Sequence, residues 1–358
     1  MTRELSIALQ SDEDLATYAG LAPRIEELGF AAISVYADLG YPSPLLPLIT
    51  AAQATRTIRL GPACLNPYLL HPVEIANQLH MLDSVSGGRA YLGLARGAWL
   101  DAVGVSQDRP VRRLREAVDV VRRLMRGDDT GYQGEIFRVA PGVRLAYQPV
   151  RPDVDLLLGA WGPLGLALAG ELAGEVKIGG TANPALLPRA RQALAVGAAR
   201  AGRRPAEVGL VCGAVTVVDE DGASARRLAR AEVATYLPVV AALDGTASLN
   251  AAGSDPAGSD PAGPDPAGLG SAGLTPAELA TMQRLVRAGD HEAAGRLVPD
   301  AVLDRFAFSG TPGQVIAQVE ALLQAGATRV EFGTPHGLTA ARGIELLGRR
   351  VLPGVSGE

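Results

Sequence analysis

The feature that most narrows the fold is a regular alternation. Short apolar runs of strand length are separated, again and again, by longer segments with apolar residues at helical spacing. Strand-like runs fall at Leu5–Leu9, Ala31–Tyr36, Ile58–Cys64, Ala90–Ala95, Val154–Gly159, Glu175–Ile178, Val208–Val217 and Arg329–Phe332. Helical patterns occupy Leu15–Leu28, Leu45–Ala54, Val73–Val85, Val111–Met125, Gly165–Leu172, Ala185–Ala201, Ala223–Ala242, Pro312–Ala325 and Ala340–Val351. Eight such units predict an α/β fold, a TIM-like (β/α)8 barrel with insertions after strands 4 and 7. A doubly wound sheet would usually place a G-x-G-x-x-G turn after its first strand. Here that strand runs into Gln10-Ser11-Asp12-Glu13, with no glycine.

Residues 71–101 show the unit in detail. His71 and Pro72 open a helix, where a proline costs little because its missing N–H has no intrahelical partner. Ser86-Gly87-Gly88 ends it, and Tyr91–Ala95 reads as a strand buried on both faces. Arg96-Gly97-Ala98-Trp99 follows the carboxyl end of that strand, which is the end where parallel α/β proteins build active sites. Residues 130–150 alternate apolar and polar positions and predict a small hairpin before the fifth strand. Residues 253–268, GSDPAGSDPAGPDPAG, are a low-complexity repeat within a longer tract, 251–273, that cannot bury enough apolar area to order itself. A loop inside one barrel domain spanning 1–358 is expected there.

Thirty-three basic and 38 acidic residues leave a formal charge of −5, which argues against nucleic acid as a partner. Cys64 and Cys212 sit in apolar runs and read as buried small hydrophobes. There is no signal-peptide pattern at the start and no apolar run approaches the roughly 20 residues that span a bilayer. A cytoplasmic protein without membrane contact is expected. Lys177 is the only lysine, which a G+C-rich genome explains simply. No two histidines have the HExxH spacing, so no metal is expected.

Four stretches resemble the luciferase-like monooxygenase superfamily, and within it the branch of coenzyme F420-dependent methylenetetrahydromethanopterin reductases. They are LGPACLNPYLLHP at 60–72, LDSVSGGRAYLGL at 82–94, GAWGPLGLALAGELAGEVKI at 159–178 and SGTPGQVIAQVEALLQAGATRVEFGT at 309–334. The resemblance implies a barrel that holds F420 or FMN across the carboxyl ends of its strands. It implies a non-proline cis peptide behind the ring at Ala63–Cys64, with Asn66 on the loop beneath. Gly162, Pro163 and Leu164 would cradle the cofactor phosphate, where a strand end and a helix start aim N–H groups at an anion. Gly180 and Thr181 would add a second contact, Thr181 through its hydroxyl. Arg96 stands in an arginine-glycine pair like the one that holds phosphate in FMN-dependent members, and it pulls toward FMN while the overall pattern pulls toward F420.

The chain departs from the family at its proton donors. Ala8 stands where the methylene reductases have a first-strand glutamate, with Gln10 the nearest polar residue. Asp38 survives from an aspartate-histidine pair after the second strand, but the histidine does not. Asp38, Tyr36 and Gln10 are therefore the catalytic candidates, and Trp99, Asp101 and His336 the substrate candidates. The alternative for Arg96 is a surface-facing arginine paired with Asp101. The expected chemistry is hydride transfer from reduced F420 to a C=C or C=N bond of a small molecule, in a homodimer. Alternatives are an FMN-dependent monooxygenase, a methylene-folate-type reductase working from NAD(P)H, and a non-catalytic cofactor-binding relative.

Overall fold

The computed structural model describes residues 3–243 and 274–356; the 253–268 repeat and the whole 251–273 tract around it lie outside them. In chain order the first half comprises β1 (Glu4–Leu9), α1 (Leu15–Glu27), β2 (Ala32–Tyr36), α2 (Leu45–Ala54), β3 (Arg59–Ala63), α3 (Pro72–Ser86), β4 (Tyr91–Leu94) and α4 (Pro110–Met125). A two-stranded hairpin, β5 (Tyr132–Gln133) and β6 (Arg138–Val139), follows where the alternating pattern predicts one. Next come β7 (Asp155–Gly159), α5 (Pro163–Leu172), β8 (Glu175–Gly179), α6 (Leu187–Arg200), β9 (Gly209–Val218) and α7 (Gly222–Leu243). The last part holds α8 (Pro276–Arg287), α9 (His291–Arg296), α10 (Asp300–Phe306), β10 (Ala307–Gly310), α11 (Pro312–Gln324), β11 (Arg329–Gly337) and α12 (Ala340–Leu346).

Eight of these strands pair in parallel in the order β3-β2-β1-β11-β9-β8-β7-β4, and bridges from Leu60 to Ala90 and from Leu65 to Leu94 join the two ends. The sheet is a TIM-like barrel, as the alternation predicts. The main core lies between strands and helices, where outward residues such as Ile7, Ile33, Leu60, Leu92, Leu158, Leu210, Val330 and Phe332 are buried. Local signals set the helix ends: His71 Nδ1 caps α3 by accepting from Val73 N–H at 3.3 Å, and Gly87 closes it at φ 68°, a left-handed position that suits glycine.

The inward positions do not follow the usual branched-apolar filling of such barrels. Ala32, Tyr91, Leu157 and Val211 form a small apolar cluster. Around it runs a series of alternating charges from the amino-terminal mouth upward. Glu4 pairs with Arg59, and Arg59 approaches Glu175 at 3.6 Å. Glu175 holds Arg329 at 2.8 Å, Arg329 lies 3.9 Å from Glu331, and Glu331 pairs with Lys177. Buried ions need partners and hydrogen bonds to offset lost hydration, and each charge here has an opposite neighbour. Glycines make the room: a Cβ on Gly61 would lie 2.5 Å from the Tyr91 ring, and one on Gly213 would lie 3.3 Å from both Glu331 and Lys177.

Three helices, α8–α10, and the short strand β10, paired to β9, fall in the insertion after strand 7, where no element is expected. With α7 they form a second core around Val233, Leu237, Met282, Val302 and Phe306. Among the described residues no helix is long and apolar enough to cross a membrane.

Candidate active site

A cavity of about 840 Å³ opens at the carboxyl ends of the barrel strands. Its floor is polar. Tyr36, Asp38, Cys64 and Lys177 converge there from β2, the loops after β2 and β3, and β8. Its walls are apolar, with Leu100, Leu114, Leu166 and Leu186 on the barrel side and Val233, Leu237 and Phe306 from the insertion. Two cations line it at exposed positions, Arg96 after β4 and Arg189 on α6. Neither guanidinium forms an ion pair among the described residues. Gln107 steadies the Arg96 loop by donating to the carbonyls of Arg96 and Gly97 at 2.6 and 3.0 Å.

Asp38 carries a raised pKa, because burial disfavours its charge more than the Gln10 hydrogen bond and Lys177 favour it. Gln10 Nε2 donates to Asp38 Oδ2 at 3.0 Å, and Gln10 Oε1 accepts from Ser11 N–H, so Gln10 orients the acid from behind and does not line the cavity. Burial pushes Tyr36 well above the ordinary phenol range and lifts the Cys64 thiol to about 12, so neither ionises at neutral pH. The Ala63–Cys64 bond is cis. Asn66 lines the cavity while its Oδ1 accepts from the N–H groups of Tyr68 and Leu69 at 3.2 and 3.0 Å. Gly97 allows this contact: at φ 81° its missing Cβ would stand 3.1 Å from Asn66 Cγ. Trp99 lines the cavity with its ring 6.3 Å from that of Tyr236.

Gly162, Pro163 and Leu164 line the cavity where α5 begins. Its dipole end therefore faces the same space as the two arginines, a set suited to an anion. Gly180 lines the cavity and Thr181 does not. The Thr181 hydroxyl is fully buried, donating to the Arg305 carbonyl at 3.2 Å and accepting from Asn183 N–H, so the expected phosphate contact from it is corrected.

Two substrate candidates are corrected likewise. Asp101 is exposed on a 3-10 turn (Leu100–Val103), outside the cavity lining, and forms no ion pair with Arg96. His336 is buried in the barrel wall with Nε2 donating to the Ala8 carbonyl at 3.0 Å, and burial holds its pKa down near 4. It sits just past a register shift between β11 and β9, in a left-handed backbone conformation at φ 73°.

Lys177, Arg189 and Tyr236 line the cavity without having been singled out as site residues. Lys177 had a signal: a lone lysine inside a strand-length run, at the same parity as Glu175. Arg189 and Tyr236 lie on helices whose apolar pattern gives no hint of which residue faces the cavity.

The luciferase-like monooxygenase family model matches residues 2–329. The chain belongs to that family. Membership makes it an oxidoreductase, and the fold fits. It is 32% identical to 5,10-methylenetetrahydromethanopterin reductase of Archaeoglobus fulgidus over 308 residues, 86% of each chain. It is 30% identical to the enzyme of the same name from Methanolobus tindarius over 341 residues, covering 94% of this chain and 95% of that one. Among solved structures, the coenzyme F420-dependent tetrahydromethanopterin reductase of Methanopyrus kandleri superposes with a TM-score of 0.85 at 26% identity, over 99% of both chains.

Proposed function

We propose that this protein is a coenzyme F420-dependent reductase that transfers hydride to a C=C or C=N bond of a small molecule. The cytoplasm and a homodimer are the setting expected for it. The observation that carries the proposal is the combination in one cavity of an anion-suited rim, an apolar slot and a polar floor, in a chain related end to end to reductases of that cofactor. Arg96, Arg189 and the start of α5 would hold the phosphate-bearing part. The apolar walls and the loop of Ala63, Cys64 and Asn66 would seat the ring, with Tyr36, Asp38 and Lys177 left for the substrate. Bound there, a deazaflavin supplies a two-electron hydride couple that resists reaction with oxygen. The protein's part is to orient the two partners, keep water out and supply a proton.

Arg96 favours a second reading, FMN with oxygen-dependent chemistry, because the arginine-glycine pair resembles that of FMN-dependent relatives. Binding of F420 and of FMN to purified protein, followed by ring fluorescence, separates the two. Tighter binding of F420 is expected. A preference for FMN reverses the assignment and directs assays to oxygenation, and binding of neither overturns both.

A further inference from the structure

The cavity floor holds one cation that phosphate binding does not use. Lys177 is buried, faces the cavity, and has its Nζ 5.2 Å from the centroid of the Tyr36 ring. Its carboxylate partner, Glu331, is fully buried on β11. From Glu331 the hydrogen bonds continue down the barrel. Ser34 has a single hydroxyl proton and donates it to Glu331 Oε2, so the 2.7 Å contact between Ser34 and Tyr91 is donated by Tyr91. Tyr91 in turn lines a second cavity, of about 310 Å³, at the opposite mouth of the barrel, among Glu4, Arg59, Asp155 and Glu175. Asp155 is exposed there. Both hydroxyl donors therefore point the same way, from the lower mouth toward the floor of the upper cavity.

The other groups on the upper floor are poorly placed to give a proton. Arg96 and Arg189 do not deprotonate in proteins. Asp38 has one of its two oxygens, Oδ2, taken up as an acceptor by Gln10. Among the described residues Tyr36 has no hydrogen-bonded chain to solvent such as the one behind Lys177. An occupant of the upper cavity would close the direct route from above, whereas the lower mouth stays open.

We propose that Lys177 is the proton donor of the reaction and that Tyr91, Ser34 and Glu331 reload it from the lower mouth of the barrel. This rests on the hydride-transfer function given above. The acceptor double bond gains a hydride at one atom, from reduced F420, and a proton at the other, from Nζ of Lys177. The acceptor is thereby reduced by two electrons and the cofactor oxidised by two. The ammonium becomes a neutral amine. Ser34 protonates Glu331 at Oε2, the carboxyl turns to return that proton to Nζ, Tyr91 refills Ser34, and solvent at the lower mouth refills Tyr91. The lower mouth supplies one proton per turnover, and the reduced cofactor, having given up a hydride, would release one proton as it returns to its oxidised form, so no net proton is consumed.

Removing Lys177 alone would strand a buried carboxylate, so the first variant is Lys177→Met with Glu331→Gln. Ser34→Ala and Tyr91→Phe are the second and third, each the loss of one hydroxyl. F420 affinity by fluorescence, kcat, KM and the solvent deuterium isotope effect are measured for all. The double variant is expected to bind F420 within about threefold of wild type and to lose at least ~100-fold in kcat, the range of general acid catalysis. Ethylamine and weaker amines should restore part of the rate, graded by amine basicity. Ser34→Ala and Tyr91→Phe should keep affinity and KM, slow kcat about tenfold and enlarge the solvent isotope effect. Wild-type kcat in the double variant overturns the donor role, as does a loss that follows lost F420 affinity and no amine relieves. An unchanged rate and isotope effect in both hydroxyl variants overturns reloading from below. If wild-type protein itself fails to bind F420, the function fails first and takes the donor role with it.

Discussion

The two halves of the barrel interior use charge in opposite ways. In the lower half a continuous series is matched: Glu4, Arg59, Glu175, Arg329 and Glu331 alternate in sign, and Arg329 is wholly buried while bonded to Glu175 through two nitrogens at 2.8 and 3.1 Å. In the upper half Arg96 and Arg189 stand at the cavity without ion pairs among the described residues, and Asp38 is half-buried with a raised pKa. Matched charges hold a shape. Unmatched ones leave binding energy for something that arrives. Electrostatic work is thus divided along the barrel axis, structure below and recognition above.

The sharpest way to break that division is to unbalance the lower half. Arg329→Met leaves Glu175 and Glu331 facing each other's charge without their shared cation, and the loss of one partner from a buried pair costs about 3–5 kcal/mol. Denaturant unfolding should show a loss of that size; a change under 1 kcal/mol would mean the lower ions do not stabilise the fold. A smaller effect is expected from pH, through His336 in the wall between the halves. Burial favours its neutral form, so the folded chain takes up that proton only near pH 4, whereas the unfolded chain does so near 6.5. Between these values the unfolded state binds more protons, so stability falls as pH drops through the window, by up to about 3 kcal/mol at its lower end. Unfolding free energies from pH 7 to pH 4 should show this decline in wild type and a flatter one in His336→Gln; parallel curves would exclude His336 as the source. The smallest effect on folding belongs to the upper half. Arg96→Ala should leave the unfolding midpoint in place and weaken F420 binding about tenfold, the ~1.5 kcal/mol of a charge-assisted hydrogen bond. Unchanged affinity would remove Arg96 from the rim's function.

Much of the barrel was legible because its signals are local. Short apolar runs set between helical patterns placed all eight barrel strands, and turn chemistry such as Ser86-Gly87-Gly88 placed a helix end within a residue. The resemblance motifs led to loops that do line the cavity, at Ala63–Cys64, Asn66, Arg96 and Gly162–Leu164. What stayed hidden depends on contacts distant in sequence. Lys177 and Glu331 are 154 residues apart, and only barrel closure brings them together. His336 follows a strand at the catalytic end, as an active-site histidine would, yet the shifted register of β11 buries it against Ala8. Thr181 fails for a similar reason, since Arg305 from the late insertion claims its hydroxyl.

The second core described above has a consequence for ancestry. Helices α7 to α10 bury Met282, Val302 and Leu303 against one another and against Val217 of β9, and lend Val233, Tyr236, Leu237 and Phe306 to the cavity. A roof that meets the barrel along β9 and β10 can accumulate changes while most of the strands beneath it stay as they are. Descendants of such a chain would keep one redox floor while exchanging the molecules admitted to it.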